Sequence, residues 1–187
     1  MNDRKDYLIF LIILFVLALS YKIYTESDMF NLVCIVSDVD HNKYCVRDRK
    51  HKKEAVDLLA NVVQKLKRFV KYLIEKYPDT ELTDNLKVNF NPKKIVETLP
   101  TSENTAYSEN KGEKIAFCLN KTRDTHSKLI DPNTLMFVAL HELTHLATSD
   151  IGHTPQYWKN FKFILENAKE YKIYNPVDYK KKPQKYC

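Results

Sequence analysis

The chain has 187 residues, enough for one domain of ordinary size with a sizeable core. It contains only two glycines, Gly112 and Gly152. It therefore cannot assemble the three-glycine fingerprint of dinucleotide-binding domains or the Walker phosphate loop. A content of 44% hydrophobic and 12% aromatic residues also excludes collagen-like and low-complexity chains. Any chemistry must come from side chains or from a metal ion.

The chain is basic, with a formal net charge of +6 from 30 Lys and Arg against 24 Asp and Glu. The first 27 residues carry three charges of each sign, so the surplus belongs to residues 28–187. Such a surface is compatible with nucleic acid, anionic membrane or acidic protein partners. A solvated basic face is the simplest interpretation, because no sequence feature selects one of these partners.

The N-terminal region contains a long apolar run, YLIFLIILFVLALSYKIY at residues 7–24, with Lys22 as its single charge. A helix of 18 residues spans about 27 Å, just enough for the hydrocarbon core of a bilayer. Arg4 and Lys5 precede the run and favour a cytosolic N-terminus. We therefore predict that residues 1–27 form a single-pass transmembrane anchor, with the rest of the chain on the opposite side of the membrane.

A cleaved signal peptide is the alternative for this segment. Ala18 and Ser20 occupy the small-residue positions of a cleavage site. However, no Gly or Pro breaks the helix before that site, and apolar character resumes at Ile23 and Tyr24. Both interpretations export the domain that follows.

The cysteines leave the redox compartment open. The four cysteines (Cys34, Cys45, Cys118 and Cys187) show no C-x-x-C pair and allow three disulfide pairings. Asn120-Lys-Thr122 is a glycosylation sequon that matters only if the domain is lumenal.

Residues 30–100 predict one hairpin and one long helix. Two β-favouring runs, 30–38 and 43–47, flank a turn and predict a hairpin. Apolar residues recur at intervals of three and four over 50–77 and predict an amphipathic helix that ends before a proline. The next stretch is polar and turn-rich, with a short strand predicted at 86–90.

The second half of the chain predicts another hairpin followed by two helices. Runs at 105–109 and 114–119 flank a turn with Gly112, which is free to take a positive φ. An Asp-Pro-Asn signal predicts a helix over 134–148, and Thr154-Pro155 predicts a last helix to about residue 171. The last helix is expected to bury five apolar residues, Trp158, Phe161, Ile164, Leu165 and Ala168.

The motif that carries chemistry is His141-Glu142-Leu143-Thr144-His145. Histidines four apart on a helix project from one face and can bind one metal ion, while the intervening glutamate can reach a water on that metal. The preceding LMFVAL indicates a buried helix. Ionisable groups on a buried helix cost several kcal/mol unless they are partnered, and metal coordination supplies a partner.

A catalytic zinc ion needs three protein ligands and an open position. His153 is the best third ligand, because a turn at Gly152 can bring it back beside the helix end. The other interpretation is that His153 only caps or packs, with Asp150 or Glu166 as the substitute ligand. The remaining histidines (His41, His51 and His126) lie in polar surroundings and are expected to be solvated.

The segment HELTH at 141–145, followed by Gly152, His153, Tyr157 and Trp158, resembles the active-site region of WLM-type and SprT-like zinc metallopeptidases. In those families a downstream His and then an aromatic residue follow the H-E-x-x-H motif. The combination is also similar to predicted metallopeptidases carried by large DNA viruses. The resemblance covers residues 131–170 and is weak elsewhere.

The resemblance implies an α+β fold, with a small zincin-like domain at 28–175 and a basic tail at 176–187. That domain combines a short antiparallel or mixed sheet, a long backing helix, an active-site helix and a C-terminal helix, behind the N-terminal transmembrane helix. It further implies a Zn²⁺-dependent metalloendopeptidase with protein or peptide substrates. His141, His145 and His153 would bind the metal, and Glu142 would act as general base towards zinc-activated water.

Two further expectations concern substrate binding. The strand at 114–119 is expected to be an edge strand that pairs with an extended substrate, as in zincins generally. Tyr107, His126 and Tyr174 are candidates for a second oxyanion stabiliser.

Two other functions remain open from the sequence. One is a non-catalytic membrane or virion structural protein with a closed structural zinc site. The other is a membrane-tethered nucleic-acid binder that uses the basic face of 50–76 and the lysines at 180–185. The membrane anchor argues against nucleic acid as a partner.

Overall fold

The computed structural model describes residues 3–122, 128–179 and 181. Within these residues it has six α-helices, one short 3-10 helix (Pro92–Lys94) and five strands. In chain order the α-helices and strands are α1 (Asp3–Glu26), α2 (Asp28–Asn31), β1 (Leu32–Val36), β2 (Lys43–Arg47), α3 (Lys52–Lys76), α4 (Glu81–Asn89), β3 (Ile95–Glu97), β4 (Ala106–Glu109), β5 (Lys114–Phe117), α5 (Pro132–Ala147) and α6 (Pro155–Glu170). This mixed architecture, with one apolar helix at the N-terminus, is the predicted α+β class.

Helix α1 lies apart from the core and is apolar. Within Lys5–Glu26, a window of 18 residues has a mean hydropathy of 2.3, and none of that window is buried within the protein. By length and composition the helix can cross a membrane, and a signal sequence has the same properties.

Helix α3 forms one side of the core. It turns a stripe of buried apolar residues inward, namely Ala55, Val56, Leu59, Ala60, Val62, Val63, Leu66, Phe69, Val70 and Leu73. The backbone N–H of Tyr77 donates to the carbonyl of Leu73 at 2.9 Å, and Pro78 follows. The helix therefore ends where the proline predicted it would.

The strands form two small sheets. Strands β1 and β2 pair antiparallel, and Cys34 of β1 is disulfide-bonded to Cys45 directly opposite on β2. The other sheet has the order β3-β5-β4, with β3 parallel and β4 antiparallel to β5. The prediction of an edge strand at 114–119 is therefore wrong. Strand β5 is central because β3 covers its other side, and β4 lies at the edge of this sheet in the described part of the chain.

The strand predicted at 86–90 is also wrong, since this segment lies in α4 and its C-terminal cap. The side chain of Thr80 caps the helix by accepting a hydrogen bond from the N–H of Thr83 at 3.3 Å. Two acidic residues in the first turn favour the helix N-terminus. Thr83 and Leu86, three residues apart, are both buried, which is helical rather than strand spacing.

A buried group of charges joins the two sheets. Arg47 donates to the carbonyl of Thr98 at 2.7 Å, and Arg49 contacts the side chains of Glu97 and Asn120. Burial raises the pKa of Glu97, although both guanidinium groups act in the opposite direction. Asn120, the first residue of the sequon, is fully buried and is not accessible for glycosylation in the folded domain.

Helix α6 packs one face against α5. Phe161, Ile164 and Ala168 are buried as predicted, whereas Leu165 is half-buried. The prediction of a buried Trp158 is wrong, because its side chain is 54% exposed and the preceding Tyr157 takes the inward position. Of the predicted tail at 176–187, only residues 176–179 and 181 are among the described residues.

The hairpin turn between β4 and β5 requires glycine at position 112. Gly112 has a φ of +104°, and a Cβ built there would overlap the carbonyl oxygen of Asn89. We expect Gly112→Ala to lower the free energy of unfolding by more than about 2 kcal/mol, from backbone strain plus overpacking. Chemical denaturation in detergent measures the loss.

Gly152→Ala is the matched control for this prediction. Gly152 has a φ of +81°, but nothing lies within 4 Å of its built Cβ. This variant should lose only the strain of the left-handed conformation, about 1–2 kcal/mol. Equal losses for the two variants would contradict the overlap with Asn89.

Candidate metal centre

Helix α5 carries the H-E-x-x-H motif through the interior of the domain. It begins at Pro132. The preceding Asp131 caps the helix, because its side chain accepts a hydrogen bond from the N–H of Thr134 at 2.9 Å. Ten of its residues are buried, which confirms the buried helix indicated by LMFVAL. His141 and His145 lie one turn apart, both half-buried.

The C-terminal end of α5 is held by side chains from other elements. The amide groups of Asn85 and Asn89, both in α4, donate to the carbonyls of Ala147 and Leu146 at 3.2 and 2.9 Å. Lys111 donates to the two carbonyls that follow. The last carbonyls of a helix have no partner within the helix, so these side chains fix where α5 stops and the turn begins.

The turn after α5 brings His153 back to the helix. Gly152 takes its left-handed conformation immediately before His153. Thr154 then starts α6: its hydroxyl accepts from the N–H of Tyr157 at 3.2 Å and donates to Asp150 at 2.9 Å. This agrees with the predicted roles of Gly152 and Thr154.

The three predicted ligand histidines come together. One imidazole nitrogen from each of His141, His145 and His153 lies within 4.8 Å of the others. The Nε2 atoms of His141 and His153 are 3.1 Å apart. Two nitrogens bound to one tetrahedral zinc ion lie about 3.3 Å apart at normal bond lengths. The donor set therefore suits a zinc ion, and the His141–His153 pair already has nearly the spacing of bound ligands.

The two histidines of α5 are neutral imidazoles at neutral pH. Burial, together with charges on His145 and His153, lowers the pKa of His141 to about 4. Burial also lowers the pKa of His145, and His153 adds to the effect. Neutral imidazole is the form that binds metals, so these two histidines can accept a cation without first losing protons.

Glu142 lies in the same cleft but outside the histidine cluster. Its side chain is buried, and burial raises its pKa to about 7, while a hydrogen bond with Ser108 of β4 lowers it. A carboxyl group with a pKa close to neutrality can both accept and return a proton.

Tyr157 positions the first histidine. Its hydroxyl oxygen lies 2.7 Å from Nδ1 of His141 and 3.3 Å from the backbone carbonyl of the same residue. Since Nε2 of His141 faces the cluster, we assign the ring proton to Nδ1. The Nδ1–H then donates to the Tyr157 oxygen, and the Tyr157 hydroxyl donates to the carbonyl. The sequence alone does not reveal this role of Tyr157, because its contact with His141 depends on how α6 packs against α5.

We expect Tyr157→Phe to lower the zinc affinity about 10- to 100-fold, the usual effect of removing a hydrogen bond behind a metal ligand. The ring remains, so packing is kept. Tyr72→Phe is the matched control, because the Tyr72 hydroxyl contacts Lys76 and Glu170 at the surface. Zinc titration against a competing chelator measures both variants, and equal affinities would exclude the positioning role.

The cleft above the histidines has a volume of about 470 Å³. One wall is the motif of α5. The facing wall is the edge strand β4, which contributes Ala106, Tyr107 and Ser108. The cleft can therefore accommodate an extended chain between a sheet edge and the candidate metal centre.

The other predicted site residues fall in different places. Of the three candidates for an oxyanion stabiliser, Tyr107 lines the cleft. Tyr174 is buried, and the centroid of its ring lies 5.8 Å from that of Phe137. It is not among the residues that line the cleft. His126 lies outside the described residues.

The two residues weighed against His153 have other partners, although Asp150 also lines the cleft. The carboxylate of Asp150 accepts from Thr154, and Glu166 lies 4.0 Å from Lys162 on the exposed face of α6. His41 is exposed at the tip of the first hairpin, and His51 is exposed 3.4 Å from Glu54, in agreement with their predicted solvation.

Comparison with known proteins finds viral relatives. The chain is 30% identical over 184 residues to the uncharacterized protein R325 of Acanthamoeba polyphaga mimivirus, covering 96% of this chain and 90% of that protein. It is 41% identical over 101 residues to the uncharacterized protein 042R of Invertebrate iridescent virus 3, covering 52% and 55%. No protein-family model matches. The viral relatives agree with the resemblance drawn from the sequence.

A solved structure shares the fold. The crystal structure of Wss1 from Saccharomyces cerevisiae superposes with a TM-score of 0.50 and 19% sequence identity, covering 66% of this chain and 84% of that one. This similarity confirms the predicted small zincin-like domain as a fold.

Proposed function

Given that the chain belongs to the family of the mimivirus protein R325, we propose that it is a membrane-anchored zinc-dependent metalloendopeptidase. The observation that carries the proposal is the convergence of three imidazole nitrogens within 4.8 Å of one another, beside a buried glutamate in an open cleft. Three histidine ligands and one open position are typical of a catalytic rather than a structural zinc site. His141, His145 and His153 would hold the ion.

The remaining groups of the cleft have roles in peptide hydrolysis. When bound, zinc supplies Lewis-acid polarisation of the scissile carbonyl and lowers the pKa of water. Glu142 accepts the proton of the attacking water and returns it to the leaving amine. Ser108 lines the cleft together with Glu142 and acts to lower the pKa of its carboxyl, and Tyr157 holds His141 through a hydrogen bond. Tyr107 is the remaining candidate for stabilising the oxyanion.

The substrate is proposed to be an extended peptide that binds along β4. A strand at the edge of a sheet offers unpaired N–H and C=O groups to an added chain. Strand β4 rather than β5 takes this role, because β5 is paired on both sides.

The domain is proposed to lie outside the cytosol, with α1 as a single-pass anchor. Arg4 and Lys5 before the apolar run favour a cytosolic N-terminus. The disulfide between Cys34 and Cys45 also supports an oxidising compartment. Protease protection in sealed vesicles tests this topology: digestion of the domain from the cytosolic side would contradict it.

Proteolysis by the full chain tests the activity. We expect the protein, purified in detergent and loaded with one equivalent of zinc, to cleave unfolded casein. A chelator should abolish cleavage, and added zinc should restore it. Stoichiometric zinc without cleavage of casein, with a fourth protein ligand found by X-ray absorption, would favour a structural zinc protein instead.

A further inference from the structure

The end of α1 is hydrogen-bonded to the domain rather than joined to it by a free linker. Only residues 27–31 separate α1 from β1. Within them, the side-chain amide of Asn31 donates to the carbonyls of Tyr24 and Ser27, at 2.9 Å each. The rings of Tyr24 and Phe30 also lie 5.3 Å apart. The orphan carbonyls of the helix end are thus satisfied by the residues that lead into the domain.

A second contact ties the same helix end to the loop before β4. The hydroxyl of Thr101 donates to the carbonyl of Thr25 at 3.0 Å. The loop itself is folded tightly: the N–H of Ser102 donates to the carbonyl of Leu99 at 3.1 Å, and the N–H of Asn104 donates to the Ser102 hydroxyl at 3.2 Å. The end of α1 is therefore fixed relative to this loop.

This loop forms part of the candidate active-site cleft, since Asn104 lines it together with Glu142 and His145. Three residue steps separate Thr101 from Asn104, and each spans at most about 3.6 Å. When the length of the Thr101 side chain and its hydrogen bond to Thr25 are added, the backbone of Asn104 lies at most about 16 Å from the Thr25 carbonyl at the end of α1. The headgroup layer on each side of a bilayer is about 5–7 Å thick. If α1 spans the membrane, one rim of the cleft therefore lies close to the headgroups.

We infer that the substrates are extended segments of membrane-held proteins, next to the surface of the bilayer that holds α1. This inference rests on the proposed function and specifies its substrate class. A folded domain of 100 residues has a radius of gyration of about 13 Å and cannot readily reach a rim at this height. An extended strand occupies only about 5 Å between neighbouring strands and can lie along β4.

The experiment compares two forms of the enzyme whose domains lie at different heights above the bilayer. Both act on the same peptide, which is held at different distances from the bilayer. The peptide is 20 residues long and contains a bond that the full chain cleaves in casein, identified from the cleavage products. It is used free in solution and attached to lipid through flexible Gly/Ser spacers of 4 or 30 residues, with root-mean-square lengths of about 11 and 30 Å. The full chain is reconstituted in the same liposomes. The matched enzyme carries a 15-residue helical insertion after Ser27, which raises the domain by about 22 Å.

The native enzyme should cleave the short-spacer peptide at least tenfold faster than the long-spacer peptide. The raised enzyme should lose this preference while it cleaves the free peptide at the native rate. Because local concentration depends on the spacers in the same way for both enzymes, the change in the ratio reports height. An unchanged ratio with full activity on free peptide would overturn the inference but leave the proposed peptidase intact. Absence of casein cleavage by the native enzyme would instead count against the proposed function.

A measurement without catalysis covers the case in which the raised enzyme fails to fold or casein is not cleaved. A fluorophore at position 104 of the full chain is used as donor, with acceptors on the lipid headgroups. Energy transfer should place position 104 within about 16 Å of the membrane surface. A distance beyond about 30 Å would overturn the inference, whatever the activity.

Discussion

Glu142→Gln is expected to keep zinc bound and to lower kcat/KM for casein peptides by about 10²- to 10⁴-fold, the range contributed by a positioned general base. Gln has the shape of Glu but cannot take a proton from water. The carboxyl of Glu142 lies outside the histidine cluster, so the metal affinity should change little. Peptide cleavage and zinc content are measured on the same preparation.

Glu166→Gln is the matched control for this prediction. Its carboxylate is exposed on α6, and its ion-pair distance to Lys162 is 4.0 Å. Exposed pairs of this kind contribute little to stability, so this variant should retain native activity. A fully active Glu142→Gln protein would contradict the assignment of the general base, and loss of zinc in that variant would indicate that Glu142 is a ligand.

His145→Ala should lower the zinc affinity by at least about 100-fold. Four-ligand structural zinc sites bind with about 10–16 kcal/mol, or about 3 kcal/mol for each ligand, and 1.4 kcal/mol corresponds to a factor of ten. His51→Ala is the control, because the side chain of His51 is exposed and lies beside Glu54, far along the chain from the cluster. Competition with a chromophoric chelator gives both affinities.

The same titration decides the third ligand. His153→Ala should weaken zinc binding as much as His145→Ala, whereas Asp150→Asn should disturb only the hydrogen bond to Thr154. If Asp150→Asn had the larger effect, the ligand set would be His141, His145 and Asp150.

Local signals in the sequence predicted the parts of the site that lie close together along the chain. The Asp131 and Thr154 caps set the starts of α5 and α6, and the spacing of His141 and His145 placed both on one helical face. Gly152 indicated the turn that delivers His153. Each of these features depends on contacts within a few residues, which a single sequence records.

The missed features depend on contacts between distant residues. Strand β3 pairs in parallel with β5, whose paired residues lie 20 positions later, and neither strand shows this in its own pattern. Without β3, the sequence predicts β5 as an edge strand. The contacts of Ser108 with Glu142 and of Tyr157 with His141 likewise arise only when β4 and α6 pack against α5. The strand predicted at 86–90 is a helix instead, because the Thr80 cap starts α4 and the core buries Thr83 and Leu86 at helical spacing.

The hydrogen bonds that hold the end of α5 make the metal centre depend on residues far away in the sequence. Asn85, Asn89 and Lys111 hold the last turn of α5 and the residues just after it, immediately before the chain turns towards His153. If α4 unfolds locally, the contacts of Asn85 and Asn89 are lost, and the end of α5 that leads to His153 is released with them. Helix α4, the turn of the second hairpin and His153 should therefore open as one cooperative unit. Zinc binds only the closed form and would stabilise it. Native-state hydrogen exchange should show protection of the α4 amides rising when zinc is added, although no residue of α4 belongs to the ligand set.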